Sequence, residues 1–244
     1  MTLLAAFSDV HANEHALDAV LDDIRGRHPD RVICLGDLVG YGAFPNEVIE
    51  AMRNAAILTV AGNYDDGVGY DREECGCAYV GAADRERGDR SLRWTQRMVT
   101  PENKAWLRSL PRELRLDIAG RRILCVHGSP RRINEYLYED RPERSLARML
   151  AGIDADIVLC GHTHLPYHRR IATTHLINVG SVGKPKNGDP RAAYALVESG
   201  APPAIGDEVK AIFPRVAYDI EAAAEAIEAT DLPREFAQTL RTAR

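Results

Sequence analysis

No apolar run in the 244-residue sequence approaches the ~18 residues of a membrane-spanning helix. The first residues, Met1 to Phe7, lack the basic flank of a secretory leader and run directly into Ser8-Asp9. A cytoplasmic protein without a membrane partner is the expectation. A basic excess is missing as well: 31 Lys and Arg stand against 36 Asp and Glu, a net charge of −5. Binding along a nucleic-acid backbone calls for the opposite sign, so no stable nucleic-acid binding is expected. Cysteine is scarce, and three of the five, Cys34, Cys125 and Cys160, lie in apolar runs where a reduced thiol acts as a small hydrophobe. That excludes a disulfide scaffold. Cys75-Gly-Cys77 is the odd pair, with no second Cys/His pair at zinc-finger spacing. Repeats and low-complexity linkers are absent, and Gly200–Asp207 reads as a loop within a single domain spanning 1–244.

What is present is an ordinary globular composition, 45% hydrophobic and 27% charged, with strands and helices in alternation. Leu3–Phe7, Arg31–Leu35 and Ala56–Val60 are apolar runs of strand length. Between the first two, Leu17, Val20, Leu21 and Ile24 recur with helical period behind a capping Asn13, and Pro45 opens a second helix. This βαβαβ opening predicts a mostly parallel sheet. Residues 84–98 and the stretch after Thr100-Pro101 read as helices. Leu114, Leu116 and Ile118 then alternate into an Ala119-Gly120 turn, a hairpin signal. A helix near 142–151, apolar runs at Asp156–Cys160, His175–Val179 and Ala192–Val197, and two short helices after Asp219 complete the reading.

The informative feature is how the strands end. Five runs finish in Asp9-Val-His11, Gly36-Asp37, Gly62-Asn63, His127-Gly128 and Gly161-His162-Thr-His164. Carboxyl ends of strands in an open α/β sheet line one edge, so these side chains are expected to converge. Asp9 and His11, and likewise His162 and His164, are two apart and would leave extended backbone on one face. Seven oxygen and nitrogen donors exceed the needs of one ion and suit two divalent ions sharing a carboxylate. The mixed His, carboxylate and amide set favours Mn, Fe, Zn, Co or Ni over Ca or Mg. His15, His28, His168 and His175 lack such a context. Arg131, Arg132, Lys184 and Arg191, near the later motifs, are the candidate substrate contacts, suited to an anionic group.

In this order the motifs resemble those of the calcineurin-like metallophosphoesterases, D-x-H, G-D-x-x-G, G-N-H-[DE], H-G and G-H-x-H, over about residues 1–200. Asn178-Val-Gly-Ser181 is similar to a turn of small bacterial members. The resemblance implies a four-layer α/β/β/α sandwich, two packed mixed β-sheets flanked by helices. It implies one metal on Asp9, His11 and His164, a second on Asn63, His127 and His162, and Asp37 bridging them. It further implies in-line attack of a metal-bound hydroxide on a phosphate ester, with Asp37, Asn63 and Tyr64 as candidate catalytic residues. Tyr64 stands where the family carries a histidine, and Ala12 where small members carry glycine. The expected activity is hydrolysis of phosphodiesters or activated phosphate esters, the substrate being a small phosphate ester or a nucleotide. The alternatives are a nucleotide pyrophosphohydrolase, a phosphoprotein phosphatase, or a non-catalytic metal-binding scaffold of the same fold.

Overall fold

A computed structural model describes residues 2–200 and 209–244. The chain begins with β1 (Thr2–Phe7), α1 (Glu14–Arg27), β2 (Arg31–Cys34), α2 (Pro45–Asn54), β3 (Leu58–Thr59) and α3 (Asn63–Gly69). The middle comprises α4 (Ala82–Met98), α5 (Pro101–Ser109), β4 (Glu113–Ile118), β5 (Arg121–Val126), α6 (Glu143–Met149) and β6 (Ile157–Cys160). It continues through β7 (Tyr167–Ile171), β8 (Thr174–Asn178), β9 (Ala192–Ala193), β10 (Ala195–Ser199), β11 (Val209–Ile212), β12 (Arg215–Val216), α7 (Ile220–Glu228) and α8 (Glu235–Thr242).

Local chemistry explains several boundaries. Asn13 caps α1 by accepting a hydrogen bond from the Ala16 N–H at 3.1 Å. Pro45 and Pro101 occupy first turns, where the missing N–H costs nothing. Ala119 and Gly120 both adopt positive φ, as a two-residue hairpin turn requires, and join β4 to β5 in register Ile118 to Arg121.

Two five-stranded sheets result, ordered β11-β10-β1-β2-β3 and β4-β5-β6-β8-β7. Side-chain alternation glues them together. Leu4, Ala6, Ile33 and Leu35 face Ile123, Cys125, Ile157, Leu159 and Ile177 between the sheets. The alternate residues Ala5, Phe7 and Cys34 meet Leu17, Val20, Val48 and Met52 of α1 and α2. On the far side Leu124, Val158 and Leu176 cover Leu146 and Met149 of α6. These are the four layers, helices flanking two packed sheets. A further cluster joins Trp94 of α4 to Ala224, Ile227, Phe236 and Leu240 of α7 and α8.

The sheets are mixed. β1, β2 and β3 run parallel, but β10 pairs antiparallel with β1, and β7 antiparallel with β8. The mostly parallel expectation fails because the chain returns to the first sheet late, at the free edge of β1. β3 is confined to two residues of the run at Ala56–Val60, and the run at Ala192–Val197 is divided between β9 and β10. Apart from Gly200, the loop expected at Gly200–Asp207 lies outside the described residues.

Candidate metal centre

Five of the seven donor residues leave the strand ends in left-handed backbone, not in extended chain. Asp9, His11, Asp37, His162 and His164 have φ of +55°, +50°, +53°, +66° and +63°. Each such non-glycine residue costs roughly 1–2 kcal/mol. The expectation that a spacing of two brings side chains together through extended backbone is therefore corrected: tight turns do it. Backbone hydrogen bonds hold those turns, from Asp9 N–H to the Gly36 carbonyl at 2.9 Å, His11 N–H to Asp37 at 2.9 Å, and Ala12 N–H to Leu38 at 2.7 Å. Glycine permits the closest approaches. A Cβ on Gly62 would lie 2.1 Å from Asp37 Oδ1, and one on Gly161 would lie 2.3 Å from Ser8 Oγ.

Two buried groups of donors form, Asp9 with His11 and His164, and Asp37 with His127 and His162, each with its donor atoms within 4.8 Å of one another. In each acid one carboxylate oxygen is tied down and the other is aimed inward. Asp9 Oδ2 accepts from the His162 N–H at 3.0 Å, while Oδ1 lies 3.2 Å from His164 Nε2. Asp37 Oδ1 accepts from the Tyr64 N–H at 2.8 Å. Asp37 Oδ2 sits 3.4 Å from His127 Nε2 and 3.8 Å from His11 Nε2, so this oxygen reaches both groups. Asn63 follows the same pattern: its Nδ2 donates to the Cys75 carbonyl at 3.1 Å, and its Oδ1 lies 3.0 Å from His127 Nε2.

The imidazoles explain what the cluster is built to hold. Nδ1 of His11, His127 and His164 faces the backbone carbonyl of Val39, Leu35 and Lys184 respectively. A carbonyl only accepts, so each Nδ1 carries the hydrogen and each Nε2 presents a lone pair. Yet His11 Nε2 and His164 Nε2 are 3.2 Å apart, and His127 Nε2 is 3.2 Å from His162 Nδ1. Asp9 Oδ1 is buried without a hydrogen-bond donor. Acceptors facing acceptors in a buried space repel unless a cation lies among them. The residues thus fit divalent metal ions, by convergence and by donor type.

The proton affinities tell the same story. Burial and the neighbouring His164 push His11 down to about 3, and burial with His127 does the same to His162. Burial also holds His164 well below the usual imidazole range. Burial opposes charge on His127 too, but the Asp37 carboxylate overrides it and raises the imidazole to about 9. Among these acceptors, His127 is the place where a proton can substitute for a cation.

Residues 1–200 match the calcineurin-like phosphoesterase superfamily domain. The chain belongs to that superfamily. It is 32% identical over 257 residues to an uncharacterised protein of Methanocaldococcus jannaschii, covering 98% of this chain and 97% of that one. The crystal structure of a metallophosphoesterase from Sphaerobacter thermophilus is similar over 99% of this chain and 100% of its own, with 30% identity and a TM-score of 0.78. A hypothetical protein of Pyrococcus horikoshii OT3 shares the fold, with 23% identity, a TM-score of 0.85, and 100% of this chain and 99% of that one covered. Superfamily membership and the two donor groups together describe a metal-dependent phosphoesterase. Among the described residues no helix is long and apolar enough to cross a membrane.

Tyr64, at the superfamily's histidine position, has no exposed surface. Its ring meets His11 edge-on at 5.7 Å, and its hydroxyl lies 3.3 Å from that of Tyr79. Burial and Tyr41 push the phenol well above its ordinary range. Ala12, in place of the usual glycine, is buried with φ of +53°. Of the candidate phosphate contacts, Arg131 pairs with Glu135, and Arg191 pairs with Asp189 at 2.7 Å. Arg132 is exposed. Lys184 stands beside the centre: its carbonyl receives His164, and its amine lies 4.9 Å from the Tyr41 ring. Loss of solvation and the neighbouring Lys186 bring that amine down to about 7.

Three contributors escape a reading of the sequence. Asp65 accepts from the N–H groups of Asp37, Leu38 and Gly62 at 2.8, 2.9 and 2.9 Å, joining the turns after β2 and β3. Its signal was present as the acid of the G-N-x-D motif, without an assigned task. The Tyr136 ring lies against His162, tilted by 31° with centroids 3.9 Å apart. Phe236 of α8 packs edge-on against Tyr41 at 5.0 Å, and Tyr41 against His11 at 4.9 Å. No local pattern announces either aromatic contact.

Proposed function

We propose that the two donor groups act as one centre for two divalent ions, with Asp37 shared, and that the protein hydrolyses phosphodiesters or activated phosphate esters. The observation that carries this reading is Asp37 Oδ2, held between His127 and His11 at 3.4 and 3.8 Å while Oδ1 is fixed by Tyr64 N–H. Asp9, His11 and His164 would hold one ion, and Asn63, His127 and His162 the other. When bound, such ions neutralise phosphate oxygens and supply a nucleophile at neutral pH. The chain's own work is orientation. Each carboxylate or amide donor is steered by a hydrogen bond on its opposite atom, and three imidazoles are fixed by carbonyls. The Tyr136 ring on His162 covers one wall.

Position 64 argues for the substrate class. A phenol raised by burial is a poor proton donor to a leaving group at neutral pH, whereas a well-matched acid there is worth ~10²–10⁴-fold when the leaving group is basic. Aryl esters and diesters with acidic leaving groups do not need it. Metal-loaded protein should therefore hydrolyse bis(p-nitrophenyl) phosphate and act weakly on glycerol phosphate. Tyr64→His should raise the alkyl-to-aryl rate ratio by about 10-fold or more. Equal wild-type rates on both classes, or an unchanged ratio, would remove position 64 from the account.

A further inference from the structure

The Cys75-Gly76-Cys77 segment, without a role in the sequence reading, closes around the amide of Asn63. Asn63 Nδ2 donates to the Cys75 carbonyl at 3.1 Å and to Cys77 Sγ at 3.3 Å. Those two contacts set which way Oδ1 points, and it points at His127. The sulfurs of Cys75 and Cys77 are themselves 3.0 Å apart. Gly76 between them has φ of +71°, and a Cβ there would meet Asn134 Nδ2 at 2.3 Å. Asn134 Nδ2 donates to the Gly76 carbonyl at 3.1 Å, pinning the segment from outside. Cys75 is buried and Cys77 is partly exposed, so an oxidant meets Cys77 first. The other thiols, Cys34, Cys125 and Cys160, are all buried within the sheets.

We infer that Cys75 and Cys77 form a reversible oxidation site whose disulfide loosens Asn63 and thereby weakens metal binding at the second donor group. The oxidant is hydrogen peroxide. The Cys77 sulfur attacks one peroxide oxygen, the O–O bond breaks, and Cys77 sulfenic acid forms with release of one water. The Cys75 sulfur then attacks the Cys77 sulfur, the S–O bond breaks, and the departing hydroxide takes the Cys75 proton and leaves as a second water. Two thiols lose two electrons and two protons, and the peroxide is reduced to two waters. A dithiol or phosphine reductant reverses the change. Closing the sulfurs from 3.0 Å to the ~2.05 Å of a disulfide shifts the pair by about 1 Å and converts Cys77 Sγ, the Asn63 acceptor, from a thiol to a disulfide sulfur. Loss of an outer partner of a metal ligand typically costs ~10–100-fold in affinity.

The effect on metal rests on the two-ion reading, whereas formation of the disulfide does not, and the test reads them separately. Full-length protein is treated with hydrogen peroxide and then reduced or left oxidised. Tryptic peptide 73–85, which holds Cys75 and Cys77 and no other cysteine, is weighed and alkylated, and zinc, a redox-inert metal, is titrated into both forms. The expected result is a peptide lighter by two hydrogens and closed to alkylation, restored by phosphine, with zinc affinity at one site lower by about 10–100-fold in the oxidised form. Cys77→Ser, which keeps an acceptor for Asn63, should show the same zinc affinity before and after peroxide. A peptide that keeps two alkylatable thiols, or that goes to sulfonic acid, overturns the oxidation site. A disulfide with unchanged zinc affinity, or a Cys77→Ser protein that loses affinity like wild type, overturns the link to Asn63. Reduced protein that binds no zinc defeats the two-ion reading while the peptide masses still decide the disulfide.

Discussion

The two donor groups face each other across Asp37 and are built differently. In the first, Asp9, His11 and His164 all sit in left-handed backbone, and both imidazoles are locked by main-chain carbonyls. In the second, His127 follows directly on β5, Asn63 opens α3 and is steered by a cysteine loop, and His162 Nε2 is buried without a partner. Asp37 and His162 of the second group are left-handed as well, so the difference lies in Asn63, which the cysteine loop steers, and in the unpartnered Nε2 of His162. The first should therefore be the more rigid site, and the second the one that responds to changes around it.

The change expected to matter most is at Asp37, the residue proposed to serve both groups. Asp37→Asn should lower metal affinity at both sites, each by more than about 10-fold, whereas Asn63→Ala should affect one site. Calorimetric metal titration of the two variants checks this, and equal losses would erase the distinction between shared and private donors. Asp65→Ala should come next. It strands three buried backbone N–H groups, at about 1–3 kcal/mol each, so a stability loss of at least about 3 kcal/mol is expected in urea unfolding. A loss below about 1 kcal/mol would mean that Asp65 does not join the two turns.

How much of this was legible in the sequence follows from the same contrast. The donors could be named because each follows an apolar run whose alternation faces two cores, as with Leu4 and Ala6 against Ala5 and Phe7. Their backbone could not be: nothing in Asp9-Val-His11 distinguishes extended chain from a left-handed turn until Gly36, Asp37 and Leu38 supply the opposing carbonyls. β7 was missed because only Tyr167 and Ile171 of its five residues are buried, leaving no apolar run to see. β11 and β12 are short edge pieces whose pairing depends on distant strands. The cysteine loop and Phe236 meet the site only through long-range packing, which local pattern does not encode.

A pH dependence in metal-free protein cuts across the two groups. His11 and His162, held by burial at about 3, take up protons in the unfolded chain near pH 6.5 but not in the folded one. Stability from these two therefore falls as pH drops from about 6.5 towards 3. His127, raised to about 9, has the opposite sign: its contribution is full below about 6.5 and is lost as pH rises through 9. Urea midpoints should decline on both sides of neutrality, with His11→Asn flattening the acid limb and His127→Asn the alkaline one. An alkaline limb unchanged by His127→Asn would contradict the pairing with Asp37.

The central claim is that Asp37 makes one centre of two donor groups, and the paramagnetic resonance spectrum of manganese-loaded protein tests it most directly. Two ions per chain with an exchange-coupled spectrum, reverting to isolated-ion signals in Asp37→Asn, are predicted, since ions in a shared site lie about 3.5–4 Å apart. Saturation at one ion per chain, or two ions whose spectrum is that of isolated manganese in wild type, would contradict it.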